Sequence, residues 1–251
     1  MTETKISADF NIGIAGLPVR IRCRHESNHL FFKDYLSDEK SLFTIEPGPE
    51  DLNQIQELLN RMDEENGIQE HDRNPVFLEN IAIQSLLAEK LVEFNILLMH
   101  GSALCMDGEA YIFTAPSGTG KSTHARLWRE MFGVRVWMIN DDKPFLKVSD
   151  SEVTVYGSPW AGKHDLHRNA HAPLKAVVKL ERDESNHIAP LSMADAFPVL
   201  LKQCYRSGDP SLMTRILELD KKLLNRVNFY LLGCNMKPEA AATAWNGMNG
   251  R

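Results

Sequence analysis

Two hydrophobic rhythms run along the chain. Short apolar or alternating runs bounded by Gly, Pro, Asp or Ser predict strands, and apolar positions recurring every third or fourth residue predict helices. In the first half, IGIAGLPVRIRC and SLFTIEP read as short strands. EDLNQIQELLNRMDEENG sets Leu52, Ile55, Leu58, Leu59 and Met62 at helical spacing before Gly67. FLENIAIQSLLAEKLVEF predicts a second, strongly apolar helix whose stripe of Leu86, Leu87, Leu91 and Phe94 reads as core packing.

The second half is more regular. ILLMHGSALCM and EAYIFTA are apolar runs on either side of Asp107-Gly108, a tight-hairpin signal, so the second run has an antiparallel neighbour. KSTHARLWREMF places Leu127, Trp128, Met131 and Phe132 on one helical face and ends at Gly133. VRVWMIN, PFLKV, VTVYG and LKAVVKLE follow as strands, with SDSE as the turn between PFLKV and VTVYG. SMADAFPVLLKQCY predicts a helix capped by Ser192 and shortened or kinked by Pro198; LMTRILELDKKLLNRV a helix, FYLLGC a strand and PEAAATAW a last helix opened by Pro238. No repeat or low-complexity tract appears. The expected organisation is an α+β region over residues 1–95, packed on an α/β region over 96–251 that carries a mixed sheet and C-terminal helices.

Composition narrows the function classes. The 251 residues are 43% hydrophobic and 25% charged with net charge −6, which gives nucleic acid and anionic membranes no general attraction. Cys23, Cys105, Cys204 and Cys234 are scattered, without metal or disulfide-framework spacing, as in a reducing compartment. MTETKISADF lacks the basic-then-apolar pattern of a secretory leader, and no apolar run reaches the ~18 residues of a membrane span. A cytoplasmic protein that binds neither nucleic acid nor membrane is expected.

The candidate chemistry centres on TAPSGTGKST, residues 114–123. It matches the second half of the phosphate-loop pattern G-x-x-x-x-G-K-[ST], with Ala115 at the first glycine position. A strand, a glycine-rich loop and a helix occur in the order that phosphate binding needs. Gly118 and Gly120 let successive N–H groups turn inward, and the helix start adds partial positive charge. Pro116, Ser117, Gly118, Thr119, Gly120, Lys121, Ser122 and Thr123 form the expected cradle. Lys121 would neutralise the β- and γ-phosphates, and the Ser122 hydroxyl would complete a Mg²⁺ site. Ala115 removes no donor, because its N–H remains.

INDDKP places Asp141 and Asp142 at the end of the strand after the loop helix, where a parallel neighbour would bring them beside the phosphates. Adjacent carboxylates repel; Mg²⁺ relieves this, and one carboxylate stays available as a general base. The alternative is a solvated turn before Pro144. His100, in MHGSAL, is expected on the hairpin strand beside the loop strand, either as a core residue or as part of the site.

HGSALCMDGEAYIFTAPSGTGKST followed by INDD resembles the kinase core of HPr kinase/phosphorylase, a bacterial protein-serine kinase, and the nucleotide core of ATP-dependent phosphoenolpyruvate carboxykinases. Both share an S-G-x-G-K-[ST] loop, an upstream histidine on a neighbouring strand and a downstream Asp pair. The resemblance runs from about residue 97 to 181. It implies a P-loop kinase core with a mixed β-sheet, ATP and Mg²⁺ as ligands, and a serine of a protein or peptide as acceptor. It further implies that His100 lies beside the γ-phosphate or metal, that Asp142 is the base and that Asp141 joins Ser122 on the metal. YGSPWAGK, residues 156–163, resembles the segment that closes over such sites, with Lys163 facing transferred phosphate. Thr123 departs from the acidic residue usual in HPr kinases, and their C-terminal arginine-glycine signature is missing, which sets HPr itself aside. The chain looks most like small HPr-kinase-like proteins, some of which act in peptide-modification pathways. An oligomer of the HPr-kinase kind is compatible with it.

Two further readings belong to other classes: a nucleotide-binding or peptide-binding subunit without transfer activity, and carboxykinase-like chemistry on a small acid, which the chain length disfavours. HDLHRNAH offers His164, His167 and His171 as zinc ligands if it is helical, although Gly162 and Pro173 favour a loop. Arg206 is a candidate phosphate clamp, with a helix-end charge as the alternative. No nucleophile-base-orienter set of a hydrolase is visible.

Overall fold

The computed structural model describes residues 6–65, 67 and 73–250. Met1–Lys5, which open the segment read for a leader, lie outside them. The chain divides into two compact units, Met1–Lys90 and Leu91–Arg251.

In the first unit, strands β1 (Ala8–Ile14) and β2 (Leu17–Cys23) form an antiparallel hairpin with Ile14 opposite Leu17. IGIAGLPVRIRC is thus not one strand. Ala15 and Gly16 both take positive φ, which reverses the chain in two residues. The short helix α1 (Ser27–Phe31) follows, and β3 (Phe43–Ile45) pairs parallel to β2. Helix α2 (Pro49–Glu65) buries Ile55 but leaves Leu58 and Met62 exposed, so its apolar stripe is only partly used. Helix α3 (Pro75–Leu91) buries Leu87 and Leu91, while Phe94 falls in a 3₁₀ turn beyond it. Buried Glu79 on α3 accepts from the Arg24 N–H at 2.7 Å, the His25 N–H at 3.1 Å and Asn28 Nδ2 at 2.9 Å, and it contacts His25 Nδ1 at 2.8 Å. A carboxylate so surrounded by hydrogen-bond partners is tolerable in a core.

The second unit is a mixed α/β structure around a nine-stranded curled sheet. Its strands are β4 (Ile96–Leu98), β5 (Ser102–Met106), β6 (Glu109–Thr114), β7 (Val136–Asn140), β8 (Phe145–Val148), β9 (Val153–Tyr156), β10 (His171–Arg182), β11 (His187–Pro190) and β12 (Asn228–Cys234). The path runs β4-β8-β9-β10-β6-β5-β7, and β12 pairs with β10 and β11. The long β10 bends the sheet. Its first residues pair with β9, and from Ala176 onward it pairs with β12.

ILLMHGSALCM splits into β4, which pairs with β8, and β5, which pairs with β6. The hairpin turn is as the sequence predicts: Met106 opposes Glu109, and Asp107 and Gly108 have φ of 52° and 87°. β5 also pairs antiparallel with β7, so β6 and β7 run in the same direction with β5 between them. The Asp pair therefore reaches the loop through an antiparallel intermediary, not as its direct parallel neighbour.

Helix α4 (Lys121–Phe132) buries Leu127 and Trp128 and leaves Met131 exposed. Trp128 packs 5.2 Å from Phe113 on β6 and donates through Nε1 to His124 Nε2 at 3.1 Å. Burial pushes the His124 imidazole down to about 3, so it sits neutral in this core and fixes the helix on the loop strand. Helix α5 (Met193–Gln203) begins at the Ser192 cap and continues through Pro198, whose lost partner, the Ala194 carbonyl, belongs to an exposed residue. Helix α6 (Pro210–Leu224) is capped by Asp209, and α7 (Glu239–Met248) follows Pro238.

Arg206 lies after α5 and pairs with the fully buried Asp220 of α6 at 2.8 Å, while its Nε donates to the Leu201 carbonyl at 3.3 Å. It serves a helix end and an internal ion pair. Burial pushes the Asp220 carboxyl up to about 6 against the pull of Arg206. A folded-state pKa above the unfolded value favours the protonated group in the fold, so this stability is full below the unfolded pKa and is lost as pH rises through about 6. The stability of the wild type relative to Asp220→Asn is therefore expected to fall by roughly 1 kcal/mol between about pH 5 and about pH 7.5, read by urea unfolding at both pH values. A pH-independent difference would refute this.

Candidate active site

Three chain segments meet at one end of neighbouring strands: the loop leaving β6, the turn leaving β7 and the bend entering β5. His100 is in that bend, not on the hairpin strand. Its N–H donates to the Gln203 carbonyl at 2.6 Å, and its carbonyl accepts from Thr114 Oγ1 at 2.8 Å. Next to it, Gly101 donates to the Asp142 carbonyl at 2.9 Å; a Cβ there would lie 2.7 Å from Ile112 Cγ2. The backbone of the bend is thereby fixed to both neighbouring strand ends.

The loop has the conformation its glycines permit, with Gly118 at φ 76° and Gly120 at φ 125°. No side chain caps the start of α4 and no acidic residue lies in its first turn, so the positive end of the helix faces outward. Lys121 is buried, with Nζ donating to the Ala115 carbonyl at 3.1 Å. Burial pushes its ammonium pKa down, against the attraction of Asp142. Arg182, at the end of β10, holds the outer side of the loop by donating to the carbonyls of Gly118 at 2.6 Å and Thr119 at 3.4 Å.

The Asp pair is not a solvated turn. Asp141 is 6% exposed and accepts from the Ser102 hydroxyl at 2.6 Å. Burial pushes the Asp142 carboxyl up, but the His100 hydrogen bond and the charges of Lys143, His100 and Lys121 outweigh it and hold it below the usual range. His100 Nε2 lies 3.3 Å and Lys143 Nζ 3.9 Å from Asp142 Oδ1.

Fully buried Asn140 organises the turn. Its Oδ1 accepts from the N–H groups of Asp142 at 2.8 Å and Lys143 at 2.6 Å. Its Nδ2 donates to the Ser158 carbonyl at 2.8 Å and the Trp160 carbonyl at 3.3 Å, which ties residues 158–160 to the end of β7. Trp160 is buried and packs against Phe145. Beyond it, Gly162 at φ 65° approaches Asp142 so closely that a Cβ would be 3.4 Å from Asp142 Cβ.

These residues line one cleft of about 720 Å³, which includes Ser117, Gly118, Gly120, Lys121, Ser122, Thr123, His100, Asp141, Asp142 and Lys163. Pro116 and Thr119 do not border it; they line a separate cavity on the other side of the loop. Arg126 and Arg129, one and two turns into α4, extend the cleft wall. Sequence reasoning passed over both, and also Asn140, Ser102, Arg182 and Gln203. A polar residue closing an apolar strand was the available signal for Asn140; the others are ordinary surface letters until the fold brings them together.

The three histidines do not share a helix. His164 ends a 3₁₀ turn and borders the cleft, His167 bridges to Asn140 near Asp165, and His171 opens β10 stacked on Tyr156. Among the described residues no group of three His, Cys, Asp or Glu side chains is placed to hold a metal, and no helix is long and apolar enough to cross a membrane.

No known protein family matches this sequence, and no curated protein does. Among solved structures, the HPr(Ser) kinase/phosphatase from Coxiella burnetii is similar over 61% of this chain and 97% of its own, at 13% identity and a TM-score of 0.37. That likeness is weak, and nothing about the activity of this chain follows from it.

Proposed function

We propose that the second unit is a P-loop phosphotransferase core that moves the γ-phosphoryl group of ATP to a hydroxyl, with a serine of a protein or peptide as acceptor. One observation carries this reading: an uncapped, glycine-rich helix start shares a single cleft with an aspartate pair, Asp141 buried and Asp142 half-buried. A solvated turn has no use for a carboxylate held in hydrogen bonds beside a lysine-bearing loop.

The donor set fits Mg²⁺. Ser122 and Asp141 present hard oxygens, as this ion requires, and the helix start offers a cradle with no acid to repel phosphate. Mg²⁺ bound there would supply neutralisation of developing charge on the phosphates. The loop N–H groups from Gly118 to Thr123 and the Lys121 ammonium hold the β- and γ-phosphates in place. The acceptor oxygen attacks the γ-phosphorus, the bond to the β–γ bridging oxygen breaks, ADP leaves, and the hydroxyl proton passes to the Asp142 carboxylate. His100 orients that carboxylate, and Lys163, which borders the same cleft, faces the transferred group. Catalysis is then positioning and charge stabilisation.

Titration calorimetry of ATP with and without Mg²⁺ tests the cradle. Wild-type protein is expected to bind ATP in a Mg²⁺-dependent way, and Lys121→Ala to bind at least about tenfold more weakly, because a charge-assisted contact in a dry site contributes more than ~1.5 kcal/mol. Equal binding by a folded variant would remove Lys121 from the site.

A further inference from the structure

The cleft extends well past the groups assigned to phosphoryl transfer. Ser122, Arg126 and Arg129 stand at i, i+4 and i+7 on α4, and all three border it. The cleft therefore follows one face of the helix for about two turns, roughly 10 Å beyond Ser122. Cα–Cβ bonds on a helix tilt toward its N-terminus, so both arginine side chains leave α4 in the direction of the loop. Ala125, Met138 and Leu166 supply apolar surface in the same cleft.

The charges along this stretch are unbalanced. Both carboxylates of the cleft have partners of their own: Asp141 accepts from the Ser102 hydroxyl, and Asp142 is held by His100 and Lys143. Arg129 is half-buried and pairs with no side chain among the described residues, and its Nε is shut off from water without an acceptor. A guanidinium held partly out of water and unpaired is unfavourable, so a site that retains one has an anion to receive. Its terminal nitrogens, not closed off in this way, can grip a carboxylate as a fork. Arg126 bonds Glu130 at 2.6 Å, but both partners of that i,i+4 pair are about half exposed, and such pairs contribute little and exchange readily. The whole chain carries net charge −6, so this positive stretch is a local feature and not a general attraction for polyanions.

We propose that Arg129 and Arg126 bind carboxylates flanking the acceptor hydroxyl, so that the acceptor is an acidic peptide segment. This rests on the phosphotransferase reading and names the class of its second substrate. The triphosphate and Mg²⁺ are met by the loop, Lys121, Ser122 and Asp141, and the transferred group by Lys163, which leaves the two arginines to the other reactant. The acceptor oxygen sits between the γ-phosphate and Asp142, close to Ser122. From there the arginines lie roughly 6 and 10 Å along α4, and an extended peptide advances about 3.3–3.6 Å per residue. The acidic side chains thus fall two and three positions from the acceptor serine.

The test uses a peptide with one central serine and glutamate at the second and third positions on either side, beside its glutamine counterpart. Binding is measured by titration calorimetry with saturating Mg²⁺-ADP, on wild type, Arg129→Gln and Arg126→Gln; glutamine keeps the helix propensity of α4. Wild type is expected to bind the glutamate peptide about tenfold or more tighter than the glutamine peptide. Arg129→Gln is expected to bring the two within about twofold, and Arg126→Gln to close part of the gap, while both variants bind Mg²⁺-ATP as wild type does. Equal binding of the two peptides by wild type, or binding of neither, overturns this inference and leaves the phosphate loop standing. Weaker Mg²⁺-ATP binding by Arg129→Gln would give that arginine to the nucleotide and overturn it as well. Glutarate displacing the glutamate peptide at equal concentration would make the ligand a small acid and not a peptide. If wild type binds no nucleotide, the phosphotransferase reading falls and takes this inference with it.

Discussion

Asp142→Asn is expected to leave ATP binding within about threefold of wild type and to lower phosphoryl transfer on the order of 10³-fold. Asparagine keeps the shape of the side chain and its reach to His100, but it has no basic oxygen to take the proton of the attacking hydroxyl. The ionised carboxylate is available because His100, Lys143 and Lys121 outweigh the burial that would otherwise push its pKa up. A group held below the usual range stays charged through neutrality, so the acid limb of transfer is expected below the ordinary aspartate range. ADP formation from Mg²⁺-ATP measures the rate, with water as a slow acceptor where no other is supplied, and calorimetry measures binding. A variant that binds and still transfers would move the base role to another group. Wild-type protein that binds ATP and forms no ADP with any hydroxyl acceptor would favour the nucleotide-binding subunit over the kinase.

Gly157→Ala is expected to destabilise the fold by more than about 3 kcal/mol, or to prevent folding. An added Cβ would lie 1.9 Å from the Arg168 carbonyl oxygen and 2.9 Å from that of Ile139. Both are backbone atoms, so no rotamer change relieves the overlap. They are also tied to each other, since the Arg168 N–H donates to the Ile139 carbonyl at 3.0 Å, and Gly157 itself donates to Ala170 at 3.0 Å. The glycine exists to let β7, the end of β9 and the approach to β10 meet at backbone distance. Moving it outward would pull Ser158 and Trp160 from Asn140, and with them the Gly162–Lys163 turn from Asp142. Urea unfolding of the variant checks the stability, and wild-type stability would show that the close approach is dispensable.

The sequence alone determined whatever depends on local periodicity and turn chemistry. The Asp107-Gly108 hairpin, the amphipathic α4, the Ser192 cap and the 149–152 turn follow from residues a few positions apart, whose backbone preferences act without distant help. The glycine-rich loop was legible for the same reason. Where the same local signal served two outcomes, tertiary pairing decided. IGIAGLPVRIRC became a hairpin because Ala15, not only Gly16, was driven into positive φ by strand pairing. ILLMHGSALCM broke at His100-Gly101 because its two parts pair with different strands far along the chain. Pro198 did not end its helix, because the carbonyl it leaves unpaired is on an exposed residue. The arrangement of the candidate site belongs wholly to this second kind. Asn140 on Ser158 and Trp160, Ser102 on Asp141 and Arg182 on Gly118 are bonds between residues 18 to 64 positions apart. Nothing in a local pattern specifies such pairs; they form when burial of the curled sheet brings its strand ends together and each desolvated polar group must find a partner.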